Sequence, residues 1–454
     1  MQASADYYTP GSVKMVPWTA PDPVIERDVH AYVRRLLVQY ARGSLTDETS
    51  WDFVCPKVGG SLTEYYQRTQ QDLATRKTSV AETQSVISGL IDAVYHTSSV
   101  GLANDLLGTD SDADVPISSE PISLMCDRML AYGVGCVFGR WDIRYATGDK
   151  PAPELPDPFA PLPACPPGML QNAQGLPAAP EGVPADYPLR ISWSGILVDD
   201  PDHPEDIVRR VREVLALLWG ERAEAIEQEA CEILGVKELR DYFAAPSRFF
   251  ADHLKRYSKS RRQAPIYWPL STRSGRYTVW LYYHRLNADT LYTVVNRYVT
   301  PKMEAVQEHA ERLSARLAEA TGREAAALGD EIGDLRTFLD ELREFRAELL
   351  RVAELPYKPD LNDGVIINAA PLHRLFRLRK WAQDTAAVWA KLVAGEYDWA
   401  HLAYTIWPER VRRVCETDRS IAIAHGLEHL CTVQARPARS KRRPTPDEDE
   451  DVEE

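Results

Sequence analysis

Apolar residues recur at three-to-four spacing, with few breakers, over residues 24–42 (Val24 to Arg42), 63–105 and 120–139. Residues 1–150 therefore predict a helical region. The pattern stops where prolines gather: 12 of the chain's 32 lie between Pro151 and Pro188. Each proline removes a backbone donor and restricts the residue before it, so residues 151–190 predict a linker or an ordered strap rather than helix or central strand. Regular structure returns with a strand over Leu189–Val198. A helix is then expected to open at Pro204, with Glu205 and Asp206 in its first turn, where the helix dipole favours acids.

Two further changes of period follow. Ala264–Leu270 and Tyr277–Leu286 are rich in aromatic and branched residues, and Ser274-Gly275 between them is a turn signal, which together predict a β-hairpin. Residues 191–287 thus read as a small α/β region. After Asp289 the spacing becomes helical, with Met303, Val306, Ala310, Leu313 and Leu317 on one side of Thr321-Gly322. Leu328, Ile332, Leu335, Leu339, Leu342, Phe345, Leu349 and Val352 lie on the other. Heptad spacing on both sides of a glycine predicts, over residues 288–354, an antiparallel coiled-coil hairpin whose arms are about 30 residues and about 45 Å long. Pro356 and Pro359 end it. Residues 355–435 predict a helical region with an apolar face carrying Trp381, Trp389, Trp399 and Trp407, and residues 436–454 a disordered, basic-then-acidic tail. The expected fold class is mixed α/β and mostly helical.

The length of 454 residues, 44% of them hydrophobic and 26% charged, excludes a chain disordered throughout. No apolar run reaches the roughly 18 residues of a membrane span, and the first ten residues lack the basic and apolar regions of a signal peptide, so a cytoplasmic protein with no membrane partner is expected. Seven cysteines without a CxxC pair predict reduced thiols rather than disulfides or a zinc knuckle. A net charge of −14 would weigh against nucleic acid if it were evenly spread. It is not: Asp447–Glu454 carries seven of the negative charges, whereas residues 251–300 hold nine Lys and Arg against Asp252 and Asp289.

That basic window also holds nine of the 41 aromatic residues. Cations neutralise phosphates, and aromatic or guanidinium planes can stack on bases, so the mixture suits a nucleic-acid surface. It equally suits a β-hairpin with a packed aromatic face and a solvated basic edge. His425-Gly-Leu-Glu428-His429 fits the H-x-x-E-H pattern of inverted zinc peptidases. A third ligand is lacking, however, and Gly426 weakens the helix that would fix the geometry, so a C-terminal packing helix is the favoured reading. Asp199, Asp200, Asp202 and His203 could hold a hard metal or cap the next helix; capping is favoured. No phosphate-cradling glycine loop, no G-x-S-x-G elbow and no Asn/Asp-Pro-Pro-aromatic tetrapeptide is found.

Several blocks in one order carry a family resemblance. They are Met129–Asp142, Gly195–Asp200, His253–Arg262, Ala264–Trp268, Trp280–Leu286, Pro359–Val365, Tyr397–Ala403, Trp407–Val411 and Asp418–His425. The chain from about Ile122 to Glu428 resembles the C-terminal half of the PglX-type adenine-specific DNA methyltransferases of BREX anti-phage systems, which overlap with type IIS and IIG restriction-modification methylases. Tyr7-Tyr-Thr-Pro10 looks like a segment that precedes the catalytic domain in such enzymes.

The resemblance implies a target-recognition region followed by a helical spacer, with double-stranded DNA as partner. The cofactor would be S-adenosylmethionine, bound by a complete enzyme or a partner subunit and not by this chain, whose motifs for cofactor and base are missing. A methyltransferase catalytic domain, or other BREX or restriction-modification subunits, would then act in trans. The residues expected to meet DNA are Lys255, Arg256, Lys259, Arg261 and Arg262, which would grip phosphates, with Arg273, Arg276, Arg285 and Asn287 from the hairpin reaching base edges. No catalytic, cofactor-binding or metal residue is expected. The alternative is a protein-interaction scaffold built on the coiled coil, without DNA-modifying activity.

Overall fold

The computed structural model describes residues 21–44, 47–56, 59–95, 121–154, 161, 163–259 and 262–432. The Tyr7–Pro10 segment, Arg261 and the charged tail lie outside the described residues. The first helices are α1 (Pro23–Ser44) and α2 (Leu62–Tyr95). Glu229 accepts hydrogen bonds from the backbone N–H groups of Leu62 and Thr63, each at 2.9 Å, and so caps the start of α2 from a distant helix.

The core is built around α3 (Ile122–Val137), which is buried along nearly all its length. Against it pack α4 (Ile207–Trp219) and α5 (Ala223–Leu234). The adjoining sheet has three antiparallel strands in the order β1 (Ile196–Val198), β5 (Thr278–Tyr282) and β4 (Tyr267–Ser271). The expected hairpin is therefore present, with Tyr267 opposite Tyr282 and Ser271 opposite Thr278. The strand expected over Leu189–Val198 forms only at its last three residues, because Gly195 turns the chain at φ +69°, where its Cα abuts the side chain of Arg285. The helix expected to open at Pro204 begins at Ile207 instead. Asp206 is its N-cap, accepting from the N–H of Arg209 at 3.0 Å, so the acid stands before the first turn rather than in it.

The proline-rich stretch, where described, is an ordered strap. Leu170, Ala178 and Ile191 form a small core of their own, and Gly168 donates its N–H to the carbonyl of Phe53 at 2.9 Å. Helices α6 (Leu239–Ala244) and α7 (Phe249–Arg256) follow, then a two-stranded ribbon of β2 (Ser258–Lys259) and β3 (Arg262–Gln263).

After the sheet, α8 (Thr290–Val294) runs through a π-turn at Val295–Val299 into α9 (Thr300–Leu317), and α10 (Gly322–Ala353) returns. Arg316 faces Glu324 at 3.6 Å and His309 faces Glu331 at 4.0 Å, which fixes the two arms as antiparallel. Leu313, Leu328 and Ile332 close the seam near the tip.

The C-terminal part holds α11 (Val365–Ala369), α12 (Arg379–Ala394), α13 (His401–Ile406), α14 (Pro408–Cys415) and α15 (Arg419–Ala424). Of the four tryptophans expected on one apolar face, Trp381 is fully buried while Trp399 is exposed. The fold is mostly helical mixed α/β, as the pattern predicts. No described helix is long and apolar enough to cross a membrane.

Candidate nucleic-acid interface

Two hydrogen bonds at the end of α3 set the position of one cation. Gly139 adopts φ +66°, its N–H bonds the carbonyl of Cys136 at 2.9 Å, and the N–H of Arg140 bonds the carbonyl of Gly135 at 2.8 Å. This is a Schellman stop, which requires a left-handed residue and so favours glycine. The Arg140 carbonyl is held in turn by the N–H of Leu170, at 3.1 Å, from the strap. With its backbone pinned on both sides, Arg140 lays its guanidinium 4.6 Å from the centre of the Trp141 ring and 5.8 Å from that of Tyr257.

Tyr257 also begins the ribbon. Its carbonyl accepts from the N–H of Ala264 at 3.1 Å, closing the base of β2–β3. Within the ribbon Lys259 is directly opposite Arg262, and both are exposed. Like charges facing across an antiparallel pair disfavour the pairing, and among the described residues neither cation has a counter-ion. Lys255, at the end of α7, is likewise exposed and has no counter-ion among the described residues.

Arg285 follows β5 at the same end of the sheet. Its guanidinium stacks 4.3 Å from the Trp193 ring and makes no hydrogen bond or ion pair among the described residues, and burial lowers its pKa.

The remaining expected contacts separate from this group. Arg256 is almost wholly buried and paired with Glu48 and Asp127, so it ties the N-terminal segment to α3 instead of facing phosphate. Arg276 lies 4.5 Å from the centre of the Phe338 ring and donates to the carbonyl of Asp334 at 3.3 Å, both on α10. Arg273, exposed on the same β4–β5 turn, is separated from the ribbon by the five residues of β4, about 16 Å of strand. Asn287 accepts from the N–H of Asp289 at 2.9 Å in the turn before α8, so its side chain closes a turn and does not reach for a base.

The aromatic half of the window belongs mainly to the core. Tyr267, Trp268, Tyr277, Trp280, Tyr282 and Tyr283 are all buried, and Phe138 stacks on Tyr267 at 5.5 Å and on Tyr282 at 5.3 Å. His253 accepts the N–H groups of Ile266 and Tyr267 on Nε2, at 2.9 and 3.2 Å, and burial beside the Arg140 charge pushes its pKa down to about 3.

The two metal patterns resolve into structural roles. Asp199 pairs with Arg240, and Asp200 with Lys302 at 2.8 Å. Helix α15 ends at Ala424, and Gly426 at φ +65° reverses the chain before the single turn Glu428–Leu430, so His425 and His429 do not share a helix. His425 Nε2 lies 2.7 Å from the carbonyl of Asp398 instead.

Comparison with known proteins gives the context. No family model matches the chain. It is 29% identical over 255 residues to the adenine-specific methyltransferase BrxX of Escherichia coli O9:H4 (strain HS), a match covering 53% of this chain and 19% of that protein. It is 24% identical over 349 residues to the adenine-specific methyltransferase PglX of Lacticaseibacillus casei (strain Zhang), covering 71% of this chain and 26% of the relative. The chain thus spans about a fifth to a quarter of the curated relatives it matches, and it is related to the PglX-type adenine-specific methyltransferases whose sequence blocks it resembles.

Proposed function

We propose that this chain is the DNA-recognition and scaffold portion of an S-adenosylmethionine-dependent, adenine-specific DNA methyltransferase of a BREX or restriction-modification system. The observation that carries the reading is the set of cations at one end of the sheet that have no counter-ion among the described residues: Lys255, Lys259, Arg262, Arg140 and Arg285. Folding alone does not favour Lys259 opposite Arg262, whereas a polyanion laid across them relieves the repulsion. The similarity to two adenine-specific methyltransferases supplies the class of reaction.

S-adenosylmethionine does not fit the described residues. Such a cofactor sits at a glycine-rich turn leaving a parallel strand, and the sheet here is three short antiparallel strands. The methyl donor and the extruded adenine would then belong to a catalytic domain outside these residues. The role left to this chain is to hold the duplex, with the helical hairpin as the spacer. The reading is tested by fluorescence anisotropy on a duplex oligonucleotide across a salt series. Replacing Lys259 and Arg262 together with Ala is expected to weaken binding and to lower the log–log salt slope by about 1.8, that is, about 0.9 for each phosphate no longer neutralised. Wild-type protein that fails to bind duplex at moderate salt would favour an interaction scaffold built on the helical hairpin.

A further inference from the structure

Around Arg140 lie several hydrogen-bond donors that meet no acceptor among the described residues. Arg140 Nε, Arg285 Nε, the hydroxyls of Tyr257 and Tyr267, and Nδ1 of His253 are all closed to solvent and without a hydrogen-bond partner among the described residues. Because His253 Nε2 accepts two backbone N–H groups, the neutral ring carries its proton on Nδ1, so this atom too is a donor. Buried polar groups are nearly always paired, and two half-buried guanidiniums whose Nε–H groups find no acceptor leave a place for one from outside the chain.

These groups are neighbours. The His253 ring lies 4.6 Å from that of Tyr257 and 4.8 Å from that of Tyr267, and the Arg140 guanidinium is 5.8 Å from the centre of Tyr257. Arg285 Nη2 stands 3.5 Å from where a Cβ on Gly139 would sit, beside Arg140 in sequence. Stacking on Trp141 and on Trp193 steadies the two guanidinium planes without using their N–H groups. Arg256 holds the nearby Glu48 through Oε1 and also takes Asp127, while Glu48 Oε2 has no hydrogen-bond partner among the described residues.

We propose that Arg140 and Arg285 form a seat for one tetrahedral oxyanion, a phosphodiester group of the bound strand, beside the base of the Lys259–Arg262 ribbon. Guanidinium forks match phosphate oxygens in pairs of parallel hydrogen bonds, and Arg140 carries its fork on a backbone fixed before any ligand arrives. The proposal rests on the nucleic-acid reading for the identity of the phosphate; the seat itself follows from the unpaired donors. A phosphorylated small molecule would offer the same chemistry.

The test uses the full chain with two probes, a duplex oligonucleotide and inorganic phosphate at about 10 mM, the second read as a rise in melting temperature against chloride at equal ionic strength. Arg140→Gln and Arg285→Gln are each expected to weaken duplex binding about tenfold and to lower the salt slope by about one, and both should abolish the phosphate-induced rise. Arg140→Lys, which keeps the charge without the fork, should retain part of the rise and carries the test if Arg140→Gln does not fold. Wild-type binding to duplex with unchanged affinity and slope in both Gln variants would overturn the seat and leave the DNA reading standing. Phosphate protection that the variants lose, in a protein that binds no duplex, would retain the seat for a small phosphorylated ligand and end the DNA reading. Neither duplex binding nor phosphate protection would overturn both.

Discussion

Glu341 on α10 accepts from the backbone N–H of Ser274 at 3.3 Å and from the hydroxyl of the same residue, so the tip of the β4–β5 hairpin is clamped to the long helix. Arg276 and Phe338 reinforce the same junction. Glu341→Ala removes both hydrogen bonds from Ser274, an exposed residue whose N–H can turn to water, which costs about 0.5–1.5 kcal/mol. Urea unfolding should show that loss, with Glu341→Gln recovering part of it because an amide oxygen still accepts.

Arg256 and the ribbon cations, adjacent in sequence, should separate cleanly in experiment. Arg256→Ala strands Glu48 and Asp127 in the interior, and breaking a buried pair from one side costs about 3–5 kcal/mol. Lys259→Ala and Arg262→Ala should change stability by less than about 0.5 kcal/mol while weakening duplex binding. Unfolding curves and anisotropy on the same preparations give both readings.

Gly135 sits inside α3 where a Cβ would stand 2.3 Å from Trp141 Cδ1 and 3.0 Å from the Tyr267 hydroxyl. Trp141 is fully buried, with its ring 4.5 Å from Phe53, and has nowhere to retreat. Gly135→Ala should therefore destabilise by about 1–3 kcal/mol through overpacking, despite alanine's better helix propensity. Calorimetry would register the loss as a lower melting temperature.

His253 gives a pH dependence of known sign. Its pKa of about 3 in the fold lies below the ordinary value of 6.5, so between these limits the unfolded chain binds the extra proton. The stability linked to this residue is complete above about pH 6.5 and is lost as pH falls toward 3. Chemical unfolding at pH 7, 5.5 and 4.5 should show a shallower decline for His253→Gln than for wild type. An equal decline in both would place the pH sensitivity on other groups.

Much of the fold was legible because period and punctuation agree. Heptad leucines either side of Thr321-Gly322 gave the helical hairpin, and Ser274-Gly275 gave the β-turn. The candidate site was less legible, since charge density along the chain does not say which cations the fold consumes. Arg256 and Lys255 are neighbours, yet one is locked between two acids and the other faces solvent. Arg140 escaped the basic window because it stands more than a hundred residues earlier. The local signal was present in Gly139-Arg140-Trp141, a helix-stopping glycine followed by a cation and an indole to stack it on. What joins Arg140 to Arg285 is the stacking of Phe138, just past α3, on Tyr282 of β5, and no local pattern reports that.

The π-turn at Val295–Val299 makes α8 and α9 one uninterrupted rod leaving the sheet, with no loop to absorb motion between them. The returning arm has 32 residues, about 48 Å of helix. The hairpin therefore acts as a lever whose fulcrum is the Ser274–Glu341 clamp. Glu341 stands about 29 Å of helix from Gly322, so a tilt of about 5° at the clamp sweeps the far tip through about 2.5 Å. Strain imposed at the sheet, by a duplex if the cations hold one as proposed, would reach whatever touches the tip as a displacement rather than as a change of packing.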